Sequence, residues 1–305
     1  KSYEYFKEKV ADPLGLDVYV AAEQCFELLN VVMREHLVRS LMVGHDLRDY
    51  VLLGYGGGGP MHLLGYAGDY PWKAVCTVPH AGAFSAWGGA CMDYAHRRHK
   101  SVSAMIPFDA DAATKMQAAQ VVGAAWQDLE RELLEELQQE GFSRDQISLR
   151  QIVYIRYYGQ LDDVEVESPV SSLASEPDVD KLLARFEEIF TRMFTLAGKP
   201  SDPIYHFTEV SVIAQVDTVK PKLVERELEG RMPRKEASKG TREVFQQGQW
   251  HVAQLFEMSE LRPGNEIDGL AVIEAPNTTL FLPADWNMRI DEYDIYWLER
   301  KGGNR

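Results

Sequence analysis

The sequence predicts an α/β chain, with a mixed α/β region first, an α+β region next and a β-rich region last. Three observations carry this reading. Short apolar runs at residues 51–53 and 73–78 bracket a glycine loop and a helical stretch, the strand–loop–helix–strand order of an α/β unit. Long helical periodicities over 112–140 and 179–196 alternate with strand-like runs. From residue 241 onward, short strands follow one another at small spacing. The boundaries this suggests are 1–107, 108–222 and 223–305.

Composition sets the outer limits. The 305 residues, 45% hydrophobic and with six Trp, suffice for two or three cores. A net charge of −15, from 47 acidic and 32 basic residues, argues against a nucleic-acid surface, which would be basic. Cys25, Cys76 and Cys91 are odd in number and widely spaced, which points to buried free thiols in a reducing cytosol. No apolar run reaches the 18 residues of a membrane span, and the N-terminus carries no signal peptide. The first residue is Lys1, so the chain reads as starting inside a domain.

Taken in order, residues 1–16 form a short helix stopped by Asp12-Pro13-Leu14-Gly15. Asp17 caps a long helix to about Met42, with an apolar face at Val20, Ala21, Leu28, Val32 and Leu41. A turn over 44–49 leads into the first strand, and Gly68-Asp69-Tyr70-Pro71 ends the helix that follows the glycine loop. The second strand runs into a small-residue cluster over 80–90, suited to close packing on a neighbour or a ligand. Residues 93–102 form an exit strand. The helix over 112–140 buries Val122, Ala125, Leu129, Leu133 and Leu137 and turns Glu130, Glu132, Glu135 and Glu136 to solvent. Runs at 149–157 and 163–167 make a hairpin, 207–216 a strand, and a charged linker starts at Lys220-Pro221-Lys222.

The chemistry concentrates at residues 51–60, VLLGYGGGGP. Gly56, Gly57, Gly58 and Gly59 lack a Cβ and are free to take positive φ, and Pro60 suits the first turn of the next helix. Bare N–H groups beside a helix N-terminus suit an anion, most often phosphate. The stretch lacks the Gly-Lys-Ser/Thr of a P-loop and the partner acid of GxGxxG, so spacing alone leaves a tight structural turn equally open. His62 lies in the first turn of the helix, as a cleft-facing donor or a histidine satisfied from behind. His80 ends the second strand where a cleft would open, and Ser85 is a ligand contact or a helix cap. No GxSxG surrounds Ser85, which argues against a Ser nucleophile. Asp93, His96 and His99 have metal-like spacing, but on a strand positions three apart face opposite ways. Asp162, Asp163, Glu165 and Glu167 read as exposed hairpin charge.

The ordered set of motifs resembles the hydantoinase A/oxoprolinase family, which includes the acetone and acetophenone carboxylases. The resemblance rests on Gly54-Tyr55-Gly56-Gly57-Gly58-Gly59-Pro60-Met61-His62 and on the run from Val78-Pro79-His80 through Phe84-Ser85-Ala86-Trp87-Gly88. It continues in Arg156-Tyr157-Tyr158-Gly159-Gln160, Leu261-Arg262-Pro263-Gly264, Gly269-Leu270-Ala271-Val272-Ile273 and Thr278-Thr279. The resemblance implies an actin-like ATPase lobe followed by the α+β region and the β-rich region. It further implies ATP, with Mg²⁺ shared with a partner chain, at Gly56–Gly59, His62, His80 and Ser85. The family's Asp-x-Gly-Gly-Thr loop has no counterpart here, so a partner chain carrying the first lobe, or the missing front of this one, would supply the other half of the site. The implied activity is that of a subunit of a cytoplasmic, multisubunit ATP-dependent ketone carboxylase, with ATP activating ketone and bicarbonate. A hydantoinase or 5-oxoprolinase subunit opening a cyclic amide, and a non-catalytic structural subunit, are the alternatives. Phe186-Glu187-Glu188-Ile189-Phe190 and Leu161-Asp162-Asp163 depart from the family pattern and favour a divergent, carboxylase-like subunit.

Overall fold

The computed structural model describes residues 1–41, 45–194 and 198–302. The expected helix ends at Met42 and Leu196 and the turn start at Gly44 lie outside them. Contacts divide the chain into two compact units, Cys91–Lys220 and the pair of segments Lys1–Ala90 and Pro221–Arg305. This differs from three consecutive segments because the C-terminal strands join the sheet begun near residue 51.

The discontinuous unit starts with α1 (Ser2–Phe6), a π turn (Lys7–Ala11) and α2 (Asp12–Leu14), closed by Gly15 at φ +65°. Asp17 Oδ1 then accepts from Tyr19 N at 2.8 Å and starts α3 (Val18–Leu41). β1 (Val51–Gly54), α4 (Gly59–Ala67) and β2 (Ala74–Thr77) form a βαβ crossover in which the strands run parallel. After α5 (Phe84–Ala90) the chain leaves this unit.

The second unit holds β3 (Tyr94–Pro107), α6 (Ala112–Gln139), β4 (Ile147–Tyr157), β5 (Val164–Glu167), α7 (Glu176–Phe194) and β6 (Ile204–Val216). Its four strands pair antiparallel in the order β3-β6-β4-β5. The five apolar positions expected of α6 are all buried, Val122 and the three leucines each contributing about 1.5–3 kcal/mol if fully covered. Trp126 is buried beside them and donates from Nε1 to Ile152 O at 3.1 Å. The expected solvation of its glutamates holds for the exposed Glu132 and Glu135. It fails for Glu130, which accepts from Gln151 at 2.6 Å, and for Glu136, which accepts from Arg98 at 2.9 Å.

Back in the first unit come β7 (Ser238–Gln246), β8 (Gln249–Glu257), β9 (Glu266–Asp268), β10 (Ala271–Ala275), β11 (Thr278–Leu282), β12 (Trp286–Ile290) and β13 (Tyr296–Arg300). They complete two sheets, β1-β2-β13-β12-β9 and β11-β10-β8-β7. Leu52, Leu63, Leu64, Val75, Ile273, Leu280 and Leu298 share one core across these elements, so β1 and α4 are held from both ends of the sequence.

Two expectations need correction. On α3, Ala21 is buried but Leu28 and Val32 are 64% and 42% exposed, because the helix turns Val18, Asn30 and Val38 inward instead. The cysteines are free, but only Cys76 is buried, where desolvation pushes its thiol up to about 11; Cys25 is exposed.

Candidate functional site

β1 and β2 are parallel, so their C-terminal ends lie at one edge, where open α/β sheets place their ligands. The glycine loop leaves the end of β1, and His80 and the small-residue cluster leave the end of β2. Gly56 ties the two loops together, its N–H donating to Ala81 O at 2.8 Å with φ at +89°. Behind them, the buried Thr77 hydroxyl donates to Gly54 O at 2.7 Å.

The wall of the site comes from the other end of the chain. Thr278, at the start of β11, donates from Oγ1 to Gly57 O at 3.0 Å. Asn277, in the β10–β11 turn, presses on both loops: a Cβ at Gly57 would meet its carbonyl at 3.3 Å, and one at Gly82 its amide at 2.9 Å. Gly58, by contrast, faces open space. Gly58 also serves as the N-cap of α4 with no side chain closing the helix end, which leaves first-turn N–H groups for a ligand. An open cavity of about 420 Å³ lies here, lined by Gly57, Gly58, His62, Asn277, Thr278 and neighbours.

His62 is held from behind. Its Nδ1 sits 2.8 Å from Asn30 Oδ1, and its ring stacks on Phe26 at 4.5 Å. Burial lowers its pKa, favouring the neutral imidazole. With the Nδ1 proton on Asn30, Nε2 keeps its lone pair and acts as an acceptor rather than as a cation for phosphate. None of the residues lining this cavity carries a carboxylate or a permanent positive charge. The wall therefore suits neutral contacts to phosphate oxygens and hydroxyl or amino groups, and it does not fit a Mg²⁺ ion, which takes carboxylate oxygens.

The predicted residues thus fall into two groups. Gly57, Gly58 and His62 line one cavity, with Gly56 fixing the loop and Gly59 opening α4. His80 and Ser85 do not line it; both are exposed at the β2 end, His80 in the left-handed region at φ 59°. Ser85 stands second in α5 and so is not the cap of that helix. Sequence reasoning missed Asn30, Asn277 and the role of Thr278, whose partners lie far along the chain. The close packing expected of the small-residue cluster holds at Gly82 but not at Gly88 and Gly89, where an added Cβ would meet open space. The acidic hairpin is exposed, as expected, and Glu165 pairs with Arg97 of β3, Glu167 with Arg150 and Asp163 with Arg156.

A larger cavity of about 590 Å³ opens at the start of β2, between Gly68 and Ala74 and the C-terminal strands. Of its charged lining residues, Arg300 pairs with Asp69 and Asp285 and Arg289 with Glu299, while Lys73 also lines the space.

Comparison with known proteins agrees with the ordered motifs. The chain is 34% identical to the acetone carboxylase beta subunit of Xanthobacter autotrophicus, over 98% of this chain and 42% of that one. It is 28% identical to the acetophenone carboxylase gamma subunit of Aromatoleum aromaticum, over 98% and 41%. A nucleotide-free structure of acetone carboxylase superposes with a TM-score of 0.71 at 33% identity, over 98% of this chain and 42% of that chain. The chain therefore spans about 42% of the length of these relatives. The hydantoinase/oxoprolinase profile matches residues 1–98, and that of the hydantoinase/oxoprolinase C-terminal domain matches residues 109–301. By these matches the chain belongs to the hydantoinase/oxoprolinase family.

Proposed function

We propose that this chain forms part of an ATP-dependent ketone carboxylase of the acetone/acetophenone carboxylase type, in which it supplies one wall of the nucleotide cleft of an actin-like ATPase lobe. The observation that carries this reading is the paired loop edge: a bare α4 N-terminus and an open Gly58 beside a cavity that holds no charge of its own. Such a wall can grip a nucleotide but cannot neutralise it. The N–H groups of Gly57 and Gly58 and the first turn of α4 face phosphate, while His62 Nε2 and Asn277 offer polar contacts to the remainder. The cations and the carboxylates for Mg²⁺ belong to a partner lobe, carried by another polypeptide or by the portion of such a relative that this chain does not span. Bound ATP supplies the phosphoryl group that activates ketone and bicarbonate; the residues here position it and shield it from water.

The partner requirement has a second support. α3 exposes Leu28, Leu29, Val31 and Val32, and α5 exposes Trp87, stacked on Phe84 at 5.2 Å. Apolar surface of this kind marks an interface.

Nucleotide titration tests the half-site. The chain alone should bind ATP weakly, and the reconstituted complex tightly; tight binding by the isolated chain overturns the proposal. In the complex, Gly58→Asp should abolish turnover, since it places a carboxylate in open space where phosphate is expected. Gly58 is a cleaner position than Gly57, where Asn277 is also disturbed. Unchanged turnover would instead assign the loop a purely structural role. ATP hydrolysis stimulated by acetone or acetophenone, and not by hydantoin, separates the carboxylase from the cyclic-amide reading that the family's description also favours.

A further inference from the structure

We propose that His96, Glu136 and Glu140 form a divalent-cation site, of a chemistry suited to Zn²⁺, that fastens β3 to α6. The three side chains come from two elements that share no sequence signal. His96 lies on β3, Glu136 lies in the last turn of α6, and Glu140 is its C-cap residue, four positions on. One ligand atom from each residue lies within 4.8 Å of the other two. Asp93 and His99, which the sequence spacing groups with His96, are elsewhere: Asp93 holds Gln215 and Lys220, and His99 pairs with Glu209 at 2.7 Å.

The imidazole geometry argues for a positive charge at the centre. His96 Nδ1 lies 3.1 Å from Glu136 Oε1, and Nε2 lies 3.4 Å from Glu140 Oε2. A neutral imidazole has one N–H and one lone pair, so it satisfies only one of two carboxylates and turns its lone pair on the other. Arg98 compensates Glu136 through Oε2 at 2.9 Å, whereas Glu140 has the neutral Tyr94 hydroxyl as a hydrogen-bond donor and no Lys or Arg partner in this cluster. A divalent cation bound by one ring nitrogen and one oxygen from each glutamate resolves the conflict. Arg98 then orients Glu136 from behind, as partners of ligating carboxylates do. One nitrogen and two carboxylate oxygens are a donor set that Zn²⁺ accepts, at about 2.0–2.2 Å, with positions left for water. Side chains that are one-quarter to one-third exposed can close over that distance without moving the backbone.

The role this predicts is structural. β3 and α6 are joined by packing and by surface ion pairs such as Lys100–Asp128, and the cation adds a bond that does not depend on screened charge. This inference is independent of the nucleotide reading.

The test uses the full chain in a Cys25→Ser, Cys91→Ser background, which removes the two thiols outside the core as competing ligands. After dialysis against a chelator, Zn²⁺ titration should show one site per chain and raise the melting temperature. Co²⁺ should give the visible absorption of a four- or five-coordinate site. His96→Gln and Glu140→Gln should each weaken Zn²⁺ binding about tenfold or more and abolish the thermal shift, as loss of ligating groups does. His99→Gln, on the opposite face of β3, should change nothing. Zn²⁺ binding that is absent at millimolar metal, or that survives both glutamine variants, overturns the proposal and leaves the cluster as an imidazole held between two carboxylates.

Discussion

A methyl group added at Gly65 would lie 2.3 Å from Asn30 Nδ2 and 2.8 Å from Asn30 Oδ1, closer than any real contact. Asn30 has little freedom to retreat, since it is 1% exposed and its Oδ1 is held by His62. Gly65→Ala should therefore cost about 1–3 kcal/mol by overpacking, read as a lower urea midpoint. Combining it with Asn30→Ala should recover part of that loss, since the two sites share one volume; strictly additive losses would contradict this packing. The same local reasoning separates two loop glycines. Gly56 sits at φ +89° with space around it, so Gly56→Ala should cost about 1–2 kcal/mol through backbone strain alone. Gly58 has ordinary φ, −96°, and equal space, so Gly58→Ala should leave stability unchanged within about 0.5 kcal/mol. If the two variants unfold at the same urea concentration, the backbone geometry assigned to the loop is wrong.

At the scale of elements, α6 shows what a sequence can reveal. Its apolar positions recur every three or four residues and meet a sheet of the same unit, so periodicity and burial coincide. Leu133, fully buried there, should cost about 2–5 kcal/mol as Leu133→Ala, measured by urea unfolding of the full chain. On α3 the same kind of pattern misled, because periodicity identifies an apolar face without saying what covers it. The glycine loop was legible since strand, glycines and helix start are neighbours in sequence. Its wall was not: Thr278 closes on Gly57 across 221 positions, which no local pattern encodes. Glu187 on α7 is another such long-range feature, with a pH signature. Burial raises its affinity for a proton, but hydrogen bonds from Lys199 at 2.8 Å and Tyr205 at 2.7 Å outweigh this and hold its pKa below the ordinary carboxylate value. A folded pKa below the unfolded one means that the contribution is present above about pH 4.3 and is lost as pH falls through the folded value. Unfolding followed from pH 7 to pH 3 should show stability falling in acid, with a shallower fall in Glu187→Gln. Identical acid profiles for the two proteins would remove Glu187 from the account.

For the whole molecule, the informative surface is the one that burial within the chain does not explain. Leu28 and Val32 lie one turn apart on α3 and are joined by the exposed Leu29 and Val31. A helix that kept this stripe in water would forgo the burial that its other face obtains through Val18, Ala21 and Val38. Among the described residues nothing lies over it, and the chain spans only about 42% of the length of its relatives. The proposed occupant is the portion of such a relative beyond this chain, whose lobe would also bring the charges missing from the proposed nucleotide wall. The prediction separates assembly from folding. Leu28→Glu with Val32→Glu should leave the urea midpoint of the isolated chain within about 0.5 kcal/mol of the wild type, because both side chains already face solvent. The same pair of changes should prevent co-purification with the partner, since assembly would bury two carboxylates in apolar contact. A double variant that assembles as well as the wild type would move the interface off α3. One that unfolds would show that the stripe already serves the fold of this chain.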